Sequence, residues 1–291
     1  MRYAAIDIGS NAVRLLIADI ITNDGIVSFK KNTLVRVPLR LGDDAFIDRH
    51  ISESKAVDLV KTMTAFRNLM DVYKVSEYMA CATSAMREAD NGRLLLREIN
   101  DAGIDVRIID GSEEAKIIYT SHIDQHLNSN KAYLYIDVGG GSTEVSVFHN
   151  TELIASASFN IGTIRILDNQ DSEETWNEMQ EWVKSHTRAF KAVYGIGTGG
   201  NINKLSRLAN NNKEDKPISF AKLKSLYEYL SSFSLKDRIN VLGLNHDRAD
   251  VIIPACEIFL TLMKYGHLRQ IIVPRVGLAD GIIQTLIDKS E

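Results

Sequence analysis

The chain has 291 residues, 45% of them hydrophobic and 25% charged, with a net charge of -4 and a pI near 6.0. That length suggests about two domains of roughly 150 residues, each large enough to bury a core, and the acidic balance argues against general duplex-DNA binding, which needs a basic face. No apolar run approaches the roughly 18 residues that span a bilayer, and the N-terminus reaches Asp7 too early for a signal peptide. Cys81 and Cys256 stand far apart without a CxxC, which excludes a disulfide framework and a zinc ribbon and reads as two small buried residues in a cytoplasmic protein.

Strand-like and helix-like stretches alternate. "YAAIDIG" is an apolar strand entering a glycine turn, and "VRLLIADII" is a second strand. "VRVPLRLGDD" brings Arg36 and Arg40 close together. "SESKAVDLVKTMTAFRNLMDVY" spaces Val57, Val60, Met63, Phe66, Leu69 and Met70 as a helix core, and Ser52 is a plausible start. "EYMACATSA" reads as a strand ending in hydroxyls, "NGRLLLREINDAG" as a helix closed by Gly103, and "IDVRIID" as a strand. "SEEAKIIYTSHIDQHL" opens a helix with Glu113 and Glu114 in its first turn, where acids complement the helix dipole. His122 and His126 within it have i, i+4 spacing but no third metal ligand, so an ordinary histidine pair is the simpler reading.

A polar break, "NSNK", precedes the strand "AYLYIDVG". Then come "TELIASASFN", a helix through "SEETWNEMQEWVKSHTRAF", the strand "AVYGIG" and the helix "NINKLSRLA". After the loop-like "NNNKEDKP" follow a long helix around "ADVIIPACEIFLTLMKYG", a strand "QIIV" and a last helix "LADGIIQTLIDK". The pattern is α/β, with a break near residues 122–132 that gives an N-terminal domain over 1–125 and a C-terminal domain over 126–291, the last helix being able to pack back on the first.

The chain also repeats itself. "AAIDIGSN" and "LYIDVGGGST" share a strand, an aspartate and a glycine turn, and Asp7 and Asp137 lie 130 residues apart. Each turn leads into a further apolar strand, which suggests two similar domains facing each other across a cleft and removes the linker reading of the glycines. Glycine turns let backbone N–H groups converge on an anion because no Cβ blocks the approach. Ser10 and Asn11, and Ser142 and Thr143, add side-chain donors. Neither turn is a Walker A loop or a GxGxxG fingerprint. Asp7 and Asp137 stand at strand ends, where ligands of α/β proteins gather. Two readings of them stay open: hard oxygen ligands for Mg²⁺, or caps of their own turns. Glu144 should point away from Thr143 by strand alternation.

The segments "AIDIGSNAVRLLI", "ATSAMREADNG", "DGSEEA", "YIDVGGGSTEVSVF", "GIGTGGNINKL", "RADVIIPACEI" and "VGLADGI", in this order, resemble the exopolyphosphatase/guanosine pentaphosphate phosphatase family, within the superfamily of actin, sugar kinases and heat-shock chaperone ATPases. The resemblance runs from Ala5 to about Ile283 and implies two ribonuclease-H-like (actin-like ATPase) domains with an interdomain cleft. It implies hydrolysis of a terminal phosphoanhydride of polyphosphate or guanosine pentaphosphate, with Glu114 as general base. Asp137 and Glu144 are implied as acids holding Mg²⁺ (Mn²⁺ as the alternative) and orienting water, and Asp7 is a third candidate metal ligand. One phosphate loop is then Gly9, Ser10 and Asn11, and the other Gly139, Gly140, Gly141, Ser142 and Thr143. Arg87 with Thr83 and Ser84 adds phosphate contacts, and a homodimer is a family-level expectation. The chain departs from the pattern in lacking a C-terminal helical His–Asp extension, in "GLADG", which puts Ala279 at an arginine position, in Asp247–Arg248, and in "SFNIGTIRI". These departures bear on substrate preference. Two rivals are a sugar-kinase-like ATPase, for which no sugar-side aspartate is evident, and a polyphosphate or guanosine-nucleotide sensor that does not hydrolyse.

Overall fold

The structure, a computed structural model, describes residues 1–120, 131–210, 216–274 and 276–290. The chain forms two compact units, Met1–His122 with Val276–Glu291, and Ile123–Arg275.

The first unit begins with β1 (Arg2–Ile8), β2 (Val13–Asn23) and β3 (Ile26–Val37), then α1 (Leu41–Ala45) and α2 (Glu53–Val72). Next come β4 (Glu77–Ala82), α3 (Ser84–Glu88), α4 (Gly92–Asp101), β5 (Val106–Ile108) and α5 (Gly111–Thr120). The second unit holds β6 (Ala132–Val138), β7 (Thr143–His149), β8 (Glu152–Phe159), α6 (Thr163–Leu167) and α7 (Glu173–Thr187). It continues with β9 (Val193–Thr198), α8 (Gly200–Ala209), β10 (Ile218–Ser219), α9 (Phe220–Ser231), α10 (Leu235–Asn240), α11 (His246–Ala249), α12 (Ile252–Tyr265) and β11 (Gln270–Ile272). The last helix, α13 (Leu278–Asp288), belongs to the first unit.

The strand order is β3-β2-β1-β4-β5 in one sheet and β10-β11-β9-β6-β7-β8 in the other. Read from its β8 edge, the second sheet repeats the first and adds β10. The repeat holds residue by residue at an offset of 130: Asp7 faces Arg14 as Asp137 faces Glu144, and Ile8 faces Val13 as Val138 faces Thr143. Even the β-bulge is repeated, at Ile17/Ala18 against β3 and at Val147/Phe148 against β8. A bulge bends the strand and raises its twist, so both hairpins curl at the same distance from their glycine turns.

Each sheet packs helices by ordinary apolar burial. In α2 the inward stripe is Ala56, Leu59, Met63, Phe66 and Met70, whereas Val57 is exposed. The predicted stripe was therefore right at Met63, Phe66 and Met70 and wrong at Val57. At 100° per residue Val57 lies beside the row set by Ala56, Leu59 and Met63. In the second unit α12 is apolar nearly all round and fully buries Ile252, Ala255, Cys256, Ile258 and Phe259. Burying one such aromatic contributes about 2–3 kcal/mol. Pro254 is accommodated in the first turn of α12, where no intrahelical N–H is lost. Both cysteines are free and buried, and desolvation pushes the thiol of Cys81 up to about 11 and that of Cys256 up to about 12.

β3 was not anticipated from the sequence. It pairs with β2 along Val13–Asn23, yet at the edge of the sheet its "KKNT" stretch needs no apolar alternation. The His122/His126 pair and most of "NSNK" and "NNNKEDKP" lie outside the described residues.

Candidate functional site

In the first unit the candidate residues gather at the carboxyl ends of three adjacent parallel strands, β1, β4 and β5. Crevices at such strand ends are where open α/β sheets take ligands. The β1–β2 turn closes with Gly9 N–H donating to Ala12 O at 3.2 Å. The carbonyls of Ser10 and Asn11 accept from Gly42 N (2.9 Å) and Arg40 N (3.1 Å), at the start of α1. The turn is thus tethered through its carbonyls. The hydroxyls of Ser10 and Ser84 are 2.8 Å apart and buried, and Thr83 N donates to Ile8 O at 3.1 Å, so "DIGSN" and "ATSAMR" form one local structure. Arg87 Nη1 donates to Ile109 O at 2.8 Å, joining that structure to the entry of α5.

Asp110 caps α5. Its Oδ1 accepts from Glu113 N–H and from the Ser112 hydroxyl, both at 2.8 Å, and these bonds hold its carboxyl below the ordinary range. Glu113 is ion-paired with Arg107, which makes it a structural acid. Glu114 follows in the same first turn and is half-buried.

Asp7 is buried, and its Oδ2 lies 2.5 Å from Arg14 Nη1. Sequence reasoning singled out Asp7 but not this partner. The signal was present in the hairpin register, since Arg14 is directly opposite Asp7 and Arg36 opposite Arg14. Arg40 takes a left-handed conformation at φ 52° and pairs with Asp43 at 2.9 Å.

In the second unit the hairpin register places Asp137 directly opposite Glu144, with Thr198 beside Asp137 and Ser158 beside Glu144. Directly opposed residues share one face of the sheet, with Cβ atoms about 5 Å apart. The two carboxylates therefore face the same side, and Thr143 faces the other, where its hydroxyl donates to Ile161 O at 2.6 Å. Glu144 is 2% exposed, and its Oε1 accepts from the Ser158 hydroxyl at 2.9 Å. The Tyr135 and Thr198 hydroxyls are hydrogen-bonded to each other.

The triple-glycine turn has a definite polarity. Gly139 N–H donates to Ser142 O at 2.9 Å. The carbonyls of Gly139, Gly140 and Gly141 accept from Thr163 N (3.1 Å), Ile164 N (2.8 Å) and Arg165 Nε (2.7 Å). Among the described residues, the N–H groups of Gly140, Gly141 and Ser142 donate to no backbone carbonyl. Successive backbone N–H groups of a turn can form a nest for an anion. Gly162 lets α6 come this close, because a Cβ there would overlap the Gly140 carbonyl.

Two further residues were not among the candidates. Gly199 has φ 95°, and a Cβ on it would stand 2.7 Å from Asp137 Oδ1. Arg248 lies over Gly200 at the start of α8, its Nη1 donating to Asn201 Oδ1 at 2.7 Å. The cue for the first was "GTGGN", a strand entering a helix through glycines. Arg248, the first residue of "RADVIIPACEI", reaches α8 from α11, a contact that its local sequence does not show.

Among the described residues no group of three His, Cys, Asp or Glu side chains forms a metal cage. Asp137 and Glu144 still suit a hard cation, because Mg²⁺ is usually bound by one or two carboxylates completed by water and phosphate oxygens. Among the described residues no helix is long and apolar enough to cross a membrane.

Comparison with known proteins agrees with this architecture. The chain is 27% identical over 287 residues to a bifunctional 3-dehydroquinate synthase/phosphatase of Fusobacterium nucleatum, covering 90% of the chain and 43% of that protein. It is 23% identical over 300 residues to a guanosine-5'-triphosphate,3'-diphosphate pyrophosphatase of Aliivibrio fischeri, covering 99% of the chain and 59% of that protein. The chain thus spans about half the length of these relatives. A crystal structure of an exopolyphosphatase from Cytophaga hutchinsonii shares the fold, with a TM-score of 0.86, 24% identity and coverage of 99% of this chain and 98% of that one. The model of the Ppx/GppA phosphatase family matches residues 29–290, which takes in β4, β5, the whole second sheet, Glu114 and the Asp137–Glu144 hairpin, and the chain belongs to that family.

Proposed function

We propose that the protein is a Mg²⁺-dependent phosphoanhydride hydrolase that releases terminal orthophosphate from polyphosphate or guanosine pentaphosphate. The observation that carries this reading is the second hairpin: two opposed carboxylates on one sheet face, next to a glycine turn whose carbonyls are tied back while, among the described residues, the N–H groups of Gly140, Gly141 and Ser142 donate to no backbone carbonyl. Membership of a phosphatase family, and the likeness to a guanosine-5'-triphosphate,3'-diphosphate pyrophosphatase, support the same chemistry.

Phosphoryl transfer asks little covalent chemistry of a protein; it needs positioned water and neutralised charge. In this reading Asp137 and Glu144 hold the cation, which when bound supplies charge neutralisation at the phosphate oxygens. The N–H groups of Gly140, Gly141 and Ser142 bind phosphate oxygens, and the tethered Gly9–Ala12 turn does so in the first unit. Arg87 and Ser84 sit beside that turn and add positive charge and a hydroxyl donor. Glu114 accepts the proton of the attacking water, and the shortened anhydride leaves as a phosphate anion. Asp7, already ion-paired with Arg14, orients that arginine. A cytoplasmic location and a homodimer belong to the same reading.

The test is phosphate release with Mg²⁺ from long polyphosphate, short polyphosphate, guanosine pentaphosphate and ATP at matched terminal-group concentration. Glu114→Gln removes the base but keeps the shape, so turnover should fall by at least about 10²-fold while polyphosphate binding survives. Normal turnover in Glu114→Gln would refute the assigned base. Binding without release from any of the four would make the protein a sensor.

A further inference from the structure

The helix that carries Glu114 rests on the chain's last helix. α13 packs against α5, β1 and β4, and at Gly281 it meets the backbone of α5. A Cβ on Gly281 would overlap the Ile117 carbonyl, and it would also meet Ile117 Cγ2 at 3.0 Å. Backbone carbonyl and α-carbon are therefore in direct contact, and only glycine permits it. Around that point Thr285 Oγ1 donates to Gly281 O at 2.8 Å and Thr120 Oγ1 donates to Ile117 O at 2.7 Å. The two hydroxyls lie 3.4 Å apart across the helix crossing.

α13 is itself firmly placed. Asp280, 6% exposed, accepts from Gly277 N–H at 3.0 Å and pairs with Lys31 at 2.5 Å. At the other end the Ser290 and Tyr3 hydroxyls are 3.0 Å apart. Between these anchors α13 acts as a fixed rail against which α5 is set. Glu114 is three residues before Ile117, one turn away on the same side of α5. A displacement of the Ile117 backbone is carried rigidly to Glu114.

We infer that Gly281 is a positioning residue for Glu114: its missing side chain sets the depth at which α5 lies on α13, and with it the place of the carboxylate. The inference rests on the proposed role of Glu114. General-base geometry is strict, and a misplacement of about 1 Å costs on the order of 10²-fold. The glycine turns that bind phosphate are not on α5, so the loss should appear in kcat and leave KM within about twofold.

The experiment is a double-mutant cycle on the full chain, measuring single-turnover phosphate release with Mg²⁺ from polyphosphate and from guanosine pentaphosphate. Gly281→Ala in the native background should lower the rate by roughly 10- to 100-fold. In the Glu114→Gln background the same change should alter the residual rate by less than about twofold, because the group it positions is already gone. Equal losses in both backgrounds, or no loss in the native one, would overturn the inference. Full activity of Glu114→Gln alone would overturn the role of Glu114, and the inference with it. Thr285→Val, nearly isosteric, carries the same cycle if Gly281→Ala fails to fold. It removes the hydroxyl at the crossing without overlap and should cost several-fold in kcat, again only when Glu114 is present.

Discussion

Gly199 offers the sharpest separation of stability from chemistry. Its backbone stands at φ 95°, ψ 167°, a region open essentially to glycine alone. Gly199→Ala forces that conformation on an L-residue, at a cost of about 1–3 kcal/mol. For a protein of this size that corresponds to roughly 4–8 °C in Tm at the middle of the range. The new Cβ would also stand 2.7 Å from Asp137 Oδ1, about 0.7 Å short of the 3.4 Å at which ordinary contact begins. Either the carboxylate or the start of α8 must move. On the proposed reading Asp137 holds the cation, so a shift of that size should lower kcat roughly 10- to 100-fold and weaken Mg²⁺ binding measured by calorimetry. The control is Gly243→Ala. Gly243 also has positive φ, 64°, but open space around its Cβ. It should lose about 1–2 kcal/mol of stability and keep native turnover. If Gly199→Ala retained native kcat and native Mg²⁺ affinity despite its lower Tm, the position of Asp137 would not matter to the chemistry, and its assignment would fall.

Two further outcomes follow from the same geometry. Ser158→Ala removes the hydroxyl that donates to Glu144 Oε1, and outer partners of metal-holding carboxylates are worth roughly tenfold in affinity at the low end; calorimetric titration with Mg²⁺ should show that loss, and unchanged affinity would remove Ser158 from the site. Burial raises the carboxyl pKa of Asp280 above its ordinary 3.8, with Lys31 opposing the shift. The folded state therefore binds that proton more tightly than the unfolded state, so this contribution is complete below about pH 4 and is lost as pH rises through the folded pKa. Thermal midpoints of the wild type relative to Asp280→Asn should fall as pH rises from 4 to 8; a rising difference would contradict the shift.

Much of this was legible in the sequence, for identifiable reasons. The turn at Gly139 announces itself because three glycines between apolar strands have no structural use except a tight turn or a close approach, and the spacing of Asp7 and Asp137 exposes the duplication and with it the turn at Gly9. Side-chain alternation alone puts Glu144 and Thr143 on opposite faces, as found. Less visible were features that depend on long-range contact. The hydroxyl of Ser10 meets that of Ser84, 74 residues away, and Arg248 comes to α8 from another helix. The offset of 130 also equates Ser10 and Asn11 with Gly140 and Gly141, not with Ser142 and Thr143, a register that the hydrogen-bond ladder bears out. β3 was missed because an edge strand with one wet face carries weak patterning, and Val57 because a periodicity of 3.6 does not by itself choose between neighbouring stripes.

The exchange of Arg14 for Glu144 at equivalent places in the two hairpins breaks the symmetry of the duplication. In the first hairpin an acid meets a base, and the pair is electrically closed. In the second, acid faces acid, an arrangement that disfavours the empty sheet because like charges opposite one another repel. Two directly opposed carboxylates are thereby confined to the second hairpin. Two copies of one hairpin, differing in the sign of a single residue, become a neutral support and an electrostatic sink, and on the reading proposed above a cation drawn to the hairpins would number one per chain.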